Sequence, residues 1–283
     1  MNPIYFRTYN VPMTRSAKLG QNFLHDANIA RRIVGLVPPG PGPLLEIGPG
    51  KGILSRLLAE RFPGRRLIMV EVDPLLAADL EQRFIGTEGS RRGDGVEIIG
   101  MDILQLDLAG RFAAGGVTVT GNLPYHISRP LIDWFIHQNP LIGEAVLMLQ
   151  KDFVDKLLAA PGGKKYNAQS VVFQLLFAAR RHFDVPAGAF VPKPKVVSTV
   201  ITARPLAPAL NSDPGFYPFI RLCFAERRKT LWNNLAAHAD KNLLAAAFAA
   251  CGLAASVRAE QLAPPRFADL WHMLAPAGTE GTR

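Results

Sequence analysis

Residues 44–52 read LLEIGPGKG, in which a short apolar segment runs into glycines at positions 48, 50 and 52. A glycine-rich turn after a strand lets the backbone approach a ligand closely, because glycine has no Cβ. The spacing is not the G-x-G-x-x-G pattern of dinucleotide sites, and Pro49 stiffens the turn. The stretch predicts a strand, a tight turn and a helix, and by itself it does not distinguish a ligand loop from an ordinary turn.

Polar side chains stand at the ends of the next predicted strands. Glu71 ends the second strand, about 20 residues after the turn, where its carboxylate can accept hydrogen bonds from both hydroxyls of a ribose. Asp102 ends the third strand and can accept from an adenine amine, its alternative role being a helix N-cap. Ligands of open α/β sheets bind at the carboxyl ends of strands. These two acids, with Gly48 and Asn122, therefore predict a nucleoside-type cofactor.

Apolar segments alternate with helical segments in the first half of the chain, which predicts a mainly parallel sheet with helices on both faces. The predicted strands are 44–47, 67–72, 96–99, 117–120 and 145–149, and the predicted helices are 53–61, 74–84, 128–138 and 151–160. The segment 86–95, GTEGSRRGDG, is polar and glycine-rich, so it is predicted to be an exposed loop.

The pattern changes in the second half of the chain. Segments 171–185 and 196–203 are predicted as two long strands that form a hairpin around PAGAFVPKPK. A parallel sheet that ends in an antiparallel pair is typical of Rossmann-like class I methyltransferases. The later elements are a predicted linker, 204–214, and short helices within 216–236, 242–251 and 265–274. The fold class is α/β, with an N-terminal extension (1–17), a methyltransferase domain (18–206) and a small all-α domain (207–283).

Composition narrows the class of partner. Lys and Arg outnumber Asp and Glu by 32 to 23, a net charge of +9, which favours nucleic acid first and an anionic membrane surface second. Cys223 and Cys251 are the only cysteines, and their spacing indicates neither a disulfide framework nor a metal site. No apolar run is long enough for a signal or membrane segment, so we expect a soluble cytoplasmic protein.

Residues 122–125, Asn-Leu-Pro-Tyr, follow the fourth predicted strand. The N6 amine of adenine is a poor nucleophile because its lone pair is delocalised into the ring. The Asn122 carboxamide oxygen and the Pro124 carbonyl can accept the two amine hydrogens, while Tyr125 stacks on a base flipped out of its helix. The reaction would then depend on positioning rather than on a strong base. An ordinary exit from a strand into a turn is the alternative.

Together with QNFL (21–24), FVPKPKVVS (190–198) and RRKT (227–230), these motifs resemble the ribosomal RNA adenine dimethyltransferase family over about residues 18–274. The chain is most similar to the bacterial branch that dimethylates two adjacent adenosines in the 3′-terminal hairpin of 16S rRNA. The resemblance implies S-adenosylmethionine as the cofactor. It also implies that the partner is small-subunit rRNA within a 30S or pre-30S particle, and that the protein is a monomer. Residues 1–12 precede Met13, which would be a typical start for the family.

The resemblance also implies roles for single residues. The implied catalytic set is Asn122, Leu123, Pro124, Tyr125 and Phe190, and the implied cofactor set is Asn22, Leu24, Gly48, Gly50, Glu71, Asp102 and Asn122. Asn22 and Leu24 would cover the methionine and ribose end of the cofactor, and Asn122 would bridge the cofactor and the target amine. Tyr125 and Phe190 would be the two walls of the base pocket, although Phe190 taken alone reads as a core residue.

Basic residues follow the acceptor motif and predict an RNA-binding face beside it. The predicted contacts are Lys193, Lys195, Arg227, Arg228 and Lys229. Three other functions remain open: a resistance-type methyltransferase of 23S rRNA, a non-catalytic assembly or transcription factor of the same fold, and, more distantly, a nicotinamide oxidoreductase. Intact Glu71 and Asn122 favour catalysis over the second alternative, and the glycine spacing disfavours the third.

Overall fold

A computed structural model describes residues 21–85, 95–112, 116–206 and 215–275. The strands in chain order are β1 (Phe23–Leu24), β2 (Leu44–Ile47), β3 (Leu67–Glu71), β4 (Val96–Gly100), β5 (Val117–Asn122), β6 (Ile142–Gln150), β7 (Phe177–Val185), β8 (Phe190–Val191) and β9 (Ser198–Pro205). The helices are α1 (Ala27–Gly35), α2 (Ile53–Arg61), α3 (Pro74–Phe84), α4 (Ser128–Gln138), α5 (Lys151–Leu157), α6 (Ala168–Leu176), α7 (Phe216–Cys223), α8 (Leu231–Leu235), α9 (Lys241–Ala250) and α10 (Pro264–Leu274).

Seven strands form the central sheet, in the order β4-β3-β2-β5-β6-β9-β7. Strands β2 to β6 run parallel to one another, whereas β9 runs antiparallel to β6 and β7 antiparallel to β9. The strand order reverses between β2 and β5, the position at which open α/β sheets bind ligands. The predicted fold, a mainly parallel sheet that ends in an antiparallel pair, is confirmed.

Helices cover both faces of the sheet because its central strands are apolar throughout. Leu44 and Leu67 pack against helices α1 to α3 on one face, whereas Leu45 and Ile68 pack on the opposite face, towards α4 and α6. Helix α1 was not predicted. It begins after Asp26, whose carboxylate accepts hydrogen bonds from two backbone N–H groups of the first turn.

The predicted strand over 171–185 is wrong in its first half. Residues Ala168–Leu176 form helix α6, and the strand begins only at Phe177. The Asn167 side chain accepts from the Gln169 N–H, and the Ser170 hydroxyl accepts from the Asn167 N–H, which together make a capping box. This cap and the burial of the helix between α5 and α7 outweigh the strand preference of its two valines.

The C-terminal helices are present as predicted, and their apolar side chains join the core of the sheet. Phe219, Leu235 and Phe267 belong to the same buried cluster as Phe173 of α6. The helix predicted over 216–236 is two helices, because Thr230 caps α8 after a turn that holds the RRKT motif. None of the described helices is long and apolar enough to cross a lipid bilayer.

Three predicted features lie wholly or mostly outside the described residues. They are the extension 1–17, the loop 86–95 and the linker 204–214. Residues 204 and 205 of that linker belong to β9. The predicted boundary between a methyltransferase domain and an α domain, at 206/207, stays a prediction.

Tyr166 joins the sheet domain to the C-terminal helices, and its loss tests this junction. Its buried hydroxyl donates to the Leu262 carbonyl at 2.8 Å. We expect Tyr166→Phe to lower the free energy of unfolding by about 1–2 kcal/mol, because a buried carbonyl loses its donor. Urea denaturation measures the change, and an unaltered denaturant slope would show that the folded shape is kept. An unchanged midpoint would contradict the contribution of this bond.

Candidate active site

A cavity of about 800 Å³ opens at the carboxyl ends of the parallel strands. We call it the main cavity. Its walls are the glycine turn after β2, the end of β3, the segment after β4 and the end of β5. All four strand ends that were predicted to hold the cofactor therefore meet at one cavity. The predicted cofactor residues that line it are Asn22, Leu24, Gly48, Gly50, Glu71, Asp102 and Asn122.

The glycine turn takes a shape that other residues would strain. Gly48 and Gly50 have φ angles of +61° and +56°, in the left-handed region. A Cβ built on Gly50 would lie 2.9 Å from the ring of Phe23. The turn therefore needs glycine both for its backbone conformation and for the close approach of the segment that carries β1.

The Glu71 side chain holds this turn in place through hydrogen bonds to backbone N–H groups. Its Oε2 accepts from the Gly50 N–H and its Oε1 accepts from the Asp73 N–H, both at 3.0 Å. Burial raises the pKa of Glu71, and these two backbone bonds oppose that rise. Each carboxylate oxygen keeps a further lone pair, so Glu71 can organise the turn and still accept from a ligand hydroxyl.

Glu46 is a functional candidate that the sequence reasoning missed. It lies in the middle of β2, lines the main cavity and is only 1% exposed, and its Oε2 has no hydrogen-bond partner within the described residues. Burial raises the pKa of Glu46 to about 7; Ser55, beside the carboxyl group, opposes this rise, and the nearby Glu71 adds to it. A carboxyl group in an otherwise apolar strand, LLEI, was the available signal.

Asp102 has both of the roles considered for it within reach. Its Oδ1 accepts from the Leu104 N–H at 3.0 Å and so caps a short 3₁₀ helix at 103–105. The residue also lines the main cavity. The cap uses one carboxylate oxygen, and the predicted contact with the cofactor adenine stays a prediction.

The Asn-Leu-Pro-Tyr motif lies at the end of β5. The Asn122 amide nitrogen donates to the Asn22 carbonyl at 2.9 Å, which leaves the Asn122 oxygen as the acceptor of that side chain. Leu123 is buried, and its N–H donates to the Met148 carbonyl. The Pro124 carbonyl accepts from the Ile127 N–H at 3.2 Å and, more weakly, from the Ser128 hydroxyl at 3.5 Å; that hydroxyl lies closer to the Tyr125 carbonyl, at 3.0 Å.

Tyr125 stands between the main cavity and a second depression of about 360 Å³, which we call the side groove. Its hydroxyl is 2.8 Å from the Ser198 hydroxyl, and burial raises the pKa of this half-buried phenol. The side groove is also lined by Asn22, Gln150 and both predicted lysines, Lys193 and Lys195. A substrate in the side groove would therefore contact Tyr125, which also lines the main cavity.

The two-stranded sheet β1–β8 joins two motifs that are far apart in sequence. Leu24 pairs with Phe190, and Phe23 with Val191, which brings QNFL onto FVPKPK. Phe190 is 2% exposed, packs in the core with Leu24 and lines neither the main cavity nor the side groove. The structure therefore does not bring Phe190 to the site surface as a wall, and its contact with a base stays a prediction.

The RNA-binding candidates lie in two places, at the side groove and in the turn before α8. Lys193 and Lys195 are exposed at the side groove. Arg227 pairs with Glu260 at 2.6 Å and donates to the Lys164 carbonyl at 2.7 Å, so it tethers two parts of the chain. Lys229 pairs with the neighbouring Glu226. Arg228 is exposed, and within the described residues it forms no ion pair or hydrogen bond.

The strand order, the glycine turn and the acids at the ends of β3 and β4 define a Rossmann-like class I methyltransferase. The family model described as ribosomal RNA adenine dimethylase matches residues 13–275. The chain therefore belongs to this family, and it is an S-adenosylmethionine-dependent methyltransferase.

Relatives extend the similarity over most of the chain. The ribosomal RNA small subunit methyltransferase A of Acidobacterium capsulatum is 40% identical over 263 residues, which cover 91% of this chain and 90% of that protein. The Geobacter sulfurreducens protein of the same name is 40% identical over 270 residues, covering 92% and 95%. A dimethyladenosine transferase from Plasmodium falciparum has the same fold, with a TM-score of 0.74, 23% identity and coverage of 88% and 96%. The 23S rRNA methyltransferase ErmE has a TM-score of 0.66, 25% identity and coverage of 89% and 99%.

The residues of the main cavity fit S-adenosylmethionine. The cofactor carries a sulfonium and an ammonium charge, and the acids that line the cavity include Glu46, Glu71 and Asp102. The buried Glu46 Oε2 needs a donor or a cation, because an unsatisfied buried carboxyl oxygen is costly. In the described part of the chain no cluster of His, Cys, Asp and Glu side chains has the form of a metal site.

The raised pKa of Glu46 predicts how stability depends on pH. A carboxyl group with a folded pKa near 7 and an unfolded pKa near 4.5 binds its proton more tightly when folded, so its contribution is complete below the unfolded pKa and is lost as pH rises to about 7. Glu46→Gln removes this loss. Without cofactor, we expect the variant to be more stable than the wild-type protein at pH 8 by about 1–3 kcal/mol. At pH 5 this gain in stability should be smaller.

Glu97 is the matched control. Partial burial acts to raise its pKa, but ion pairs with Arg66 and Arg111 outweigh this and lower it. Glu97→Gln should therefore reduce stability at pH 8, the opposite sign. Guanidinium denaturation at both pH values measures both variants. A Glu46→Gln effect of equal size at pH 5 and pH 8 would contradict the assignment.

Proposed function

We propose that this enzyme transfers methyl groups from S-adenosylmethionine to the N6 amines of two adjacent adenosines in the 3′-terminal hairpin of small-subunit rRNA. The observation that carries the proposal is the orientation of Asn122 in the main cavity: its nitrogen is bonded to Asn22, which lines both the main cavity and the side groove, and its oxygen is left as an acceptor. The names of relatives at 40% identity support the small subunit as the substrate.

Residues of the main cavity hold the cofactor in this proposal. Glu71 accepts from the ribose hydroxyls, Asp102 accepts from the adenine amine, and the backbone at Gly48 and Gly50 lies against the methionine end. Asn22 and Leu24 close the cavity from above, since β1 is held over it by β8. When bound, the cofactor supplies an electrophilic methyl group on its sulfonium.

The acceptor motif aligns the amine in this proposal. The Asn122 oxygen and the Pro124 carbonyl accept the two N6 hydrogens, which favours a nitrogen whose lone pair points at the methyl group. Tyr125 stacks on the flipped adenine and is held by the Ser198 hydroxyl. Neither Asn122 nor Pro124 is a base, so the rate gain comes from positioning, and the nitrogen gives up one proton for each methyl group that it gains.

In this proposal, basic side chains bind the rRNA through its phosphates. Lys193 and Lys195 flank the side groove, and Arg228 extends from the turn before α8. Phosphate contacts of this kind fix the orientation of an RNA without reading its sequence. We propose that the partner is a 30S or pre-30S particle, that the enzyme binds it as a monomer, and that it acts in the cytoplasm.

Methyl transfer to separated subunits tests the proposed function. Wild-type protein is incubated with labelled S-adenosylmethionine and either unmethylated small or unmethylated large subunits, and the labelled bases are then mapped. We expect two adjacent dimethyladenosines in the small-subunit rRNA. Label in the large subunit would favour the 23S enzyme, to which the ErmE similarity points. Binding without label would favour a non-catalytic assembly factor.

Substitutions of Glu71 and Asn122 should impair different steps, cofactor binding and methyl transfer respectively. Glu71→Ala removes the ribose acceptor and loosens the glycine turn, so the Kd for S-adenosylmethionine should rise about 10- to 100-fold. Asn122→Ala should change this Kd less but slow single-turnover methylation about 100-fold, because the amine loses its alignment. Calorimetry and single-turnover assays separate the two. Wild-type methylation by Asn122→Ala would defeat the acceptor-site proposal.

Arg227 and Arg228 form a matched pair of adjacent arginines. Arg228→Ala should weaken binding to small subunits and lower the slope of log Kd against log salt by about 1, with unchanged stability. Arg227→Ala should lower the free energy of unfolding by about 0.5–1.5 kcal/mol, because Glu260 and the Lys164 carbonyl lose their partner. Filter binding from 50 to 200 mM salt and urea denaturation provide the measurements. Identical effects of both variants would contradict this division.

A further inference from the structure

Gln150 is a polar residue at the site that the proposed mechanism does not use. It is the last residue of β6, is half-buried and lines the side groove together with Tyr125. Although it occupies the N-cap position of α5, its side chain makes no capping bond. The side-chain amide of Gln150 forms no hydrogen bond with the described residues. An amide at the mouth of a site, free of any structural bond, is available to a ligand.

The register of the sheet places Gln150 beside the acceptor motif. Asn122 pairs with Met148 on the neighbouring strand, and side chains alternate along a strand, so Gln150 is on the same face as Asn122, about 7 Å further out. Gln150 is also the direct partner of Ser198 in the antiparallel pair. Directly opposite residues have Cβ atoms about 5 Å apart. Ser198 is the residue that holds the Tyr125 hydroxyl.

A base stacked on Tyr125 would therefore have Gln150 at its edge. The N6 amine of adenine is flanked by two ring nitrogens, N1 and N7, and both are acceptors. Asn122 and Pro124 present acceptors, which suit the amine hydrogens but not a ring nitrogen. The Gln150 side-chain amide, which lines the side groove with Tyr125, supplies a donor.

Resting on the proposed function, we propose that the Gln150 side-chain amide donates a hydrogen bond to N1, beside the target amine, and so selects adenine over guanine, since N7 is an acceptor in both bases. Gln150 is then a specificity residue. In guanine, N1 carries a hydrogen and the amine position is an oxygen, so neither the Gln150 donor at N1 nor the Asn122 and Pro124 acceptors would be satisfied. A buried polar group left without a partner disfavours the wrong base strongly.

The test combines a protein variant with a base analogue. Small subunits are rebuilt with a 3′-terminal rRNA segment whose target is adenosine, 1-deazaadenosine or 7-deazaadenosine. Gln150→Met keeps the size of the side chain and removes the donor, and Gln150→Glu keeps an acceptor without a donor. Gln82→Met, on the exposed side of α3 and outside both cavities, is the matched control. S-adenosylmethionine affinity and thermal unfolding confirm that each variant is folded.

The wild-type enzyme should methylate 1-deazaadenosine about 10- to 100-fold more slowly than adenosine, and 7-deazaadenosine at close to the adenosine rate. Both Gln150 variants should be slowed by a similar factor on adenosine and should slow no further on 1-deazaadenosine, whereas Gln82→Met keeps the full effect of this analogue. Equal wild-type rates on adenosine and 1-deazaadenosine, a further loss when a Gln150 variant acts on 1-deazaadenosine, or a wild-type rate in Gln150→Met would overturn the proposal. Wild-type protein that methylates no small subunit would instead defeat the proposed function.

Discussion

The buried carboxylate of Glu71 is the constraint on which the site depends. It binds the backbone of the glycine turn through Gly50 and the backbone after β3 through Asp73, so one side chain joins the ends of two parallel strands. Burying this carboxyl group is unfavourable, as its raised pKa shows, and the two N–H donors offset part of the cost. With the turn held in this way, the β1 segment can close over Gly50, where no side chain would fit.

A second layer of contacts connects this cofactor edge to the acceptor side. The Asn122 amide reaches the backbone of Asn22, and Leu24 pairs with Phe190 on β8. The segment that covers the main cavity is thus bonded both to the acceptor motif and to the strand that leads into the side groove. In the proposed mechanism, cofactor binding and base presentation therefore depend on the same backbone segment, although its motifs are more than a hundred residues apart in sequence.

The C-terminal helices extend this scaffold without closing a separate core. Their aromatic side chains continue the cluster on the α4–α6 face of the sheet, and Tyr166 and Arg227 bond across the junction. The RRKT turn is therefore tied, through Arg227, to the backbone of the segment before α6. The two neighbouring arginines therefore have different surroundings. Arg227 bonds across the junction, whereas Arg228 faces solvent, where a phosphate can reach it.

The sequence by itself determined the parallel sheet, the glycine turn and the residues at its carboxyl edge, because strand periodicity, glycine spacing and the Asn-Leu-Pro-Tyr motif are local signals. Local pattern failed where tertiary contacts compete with it: residues 171–173 are Val-Val-Phe, typical of strands, yet the cap at Asn167 and burial between helices make them helical. Only the tertiary structure decided that Phe190 is buried, that Glu46 keeps an unpaired oxygen and that Gln150 stands beside Ser198. Each of these depends on partners distant in sequence, whose register and packing no single segment encodes.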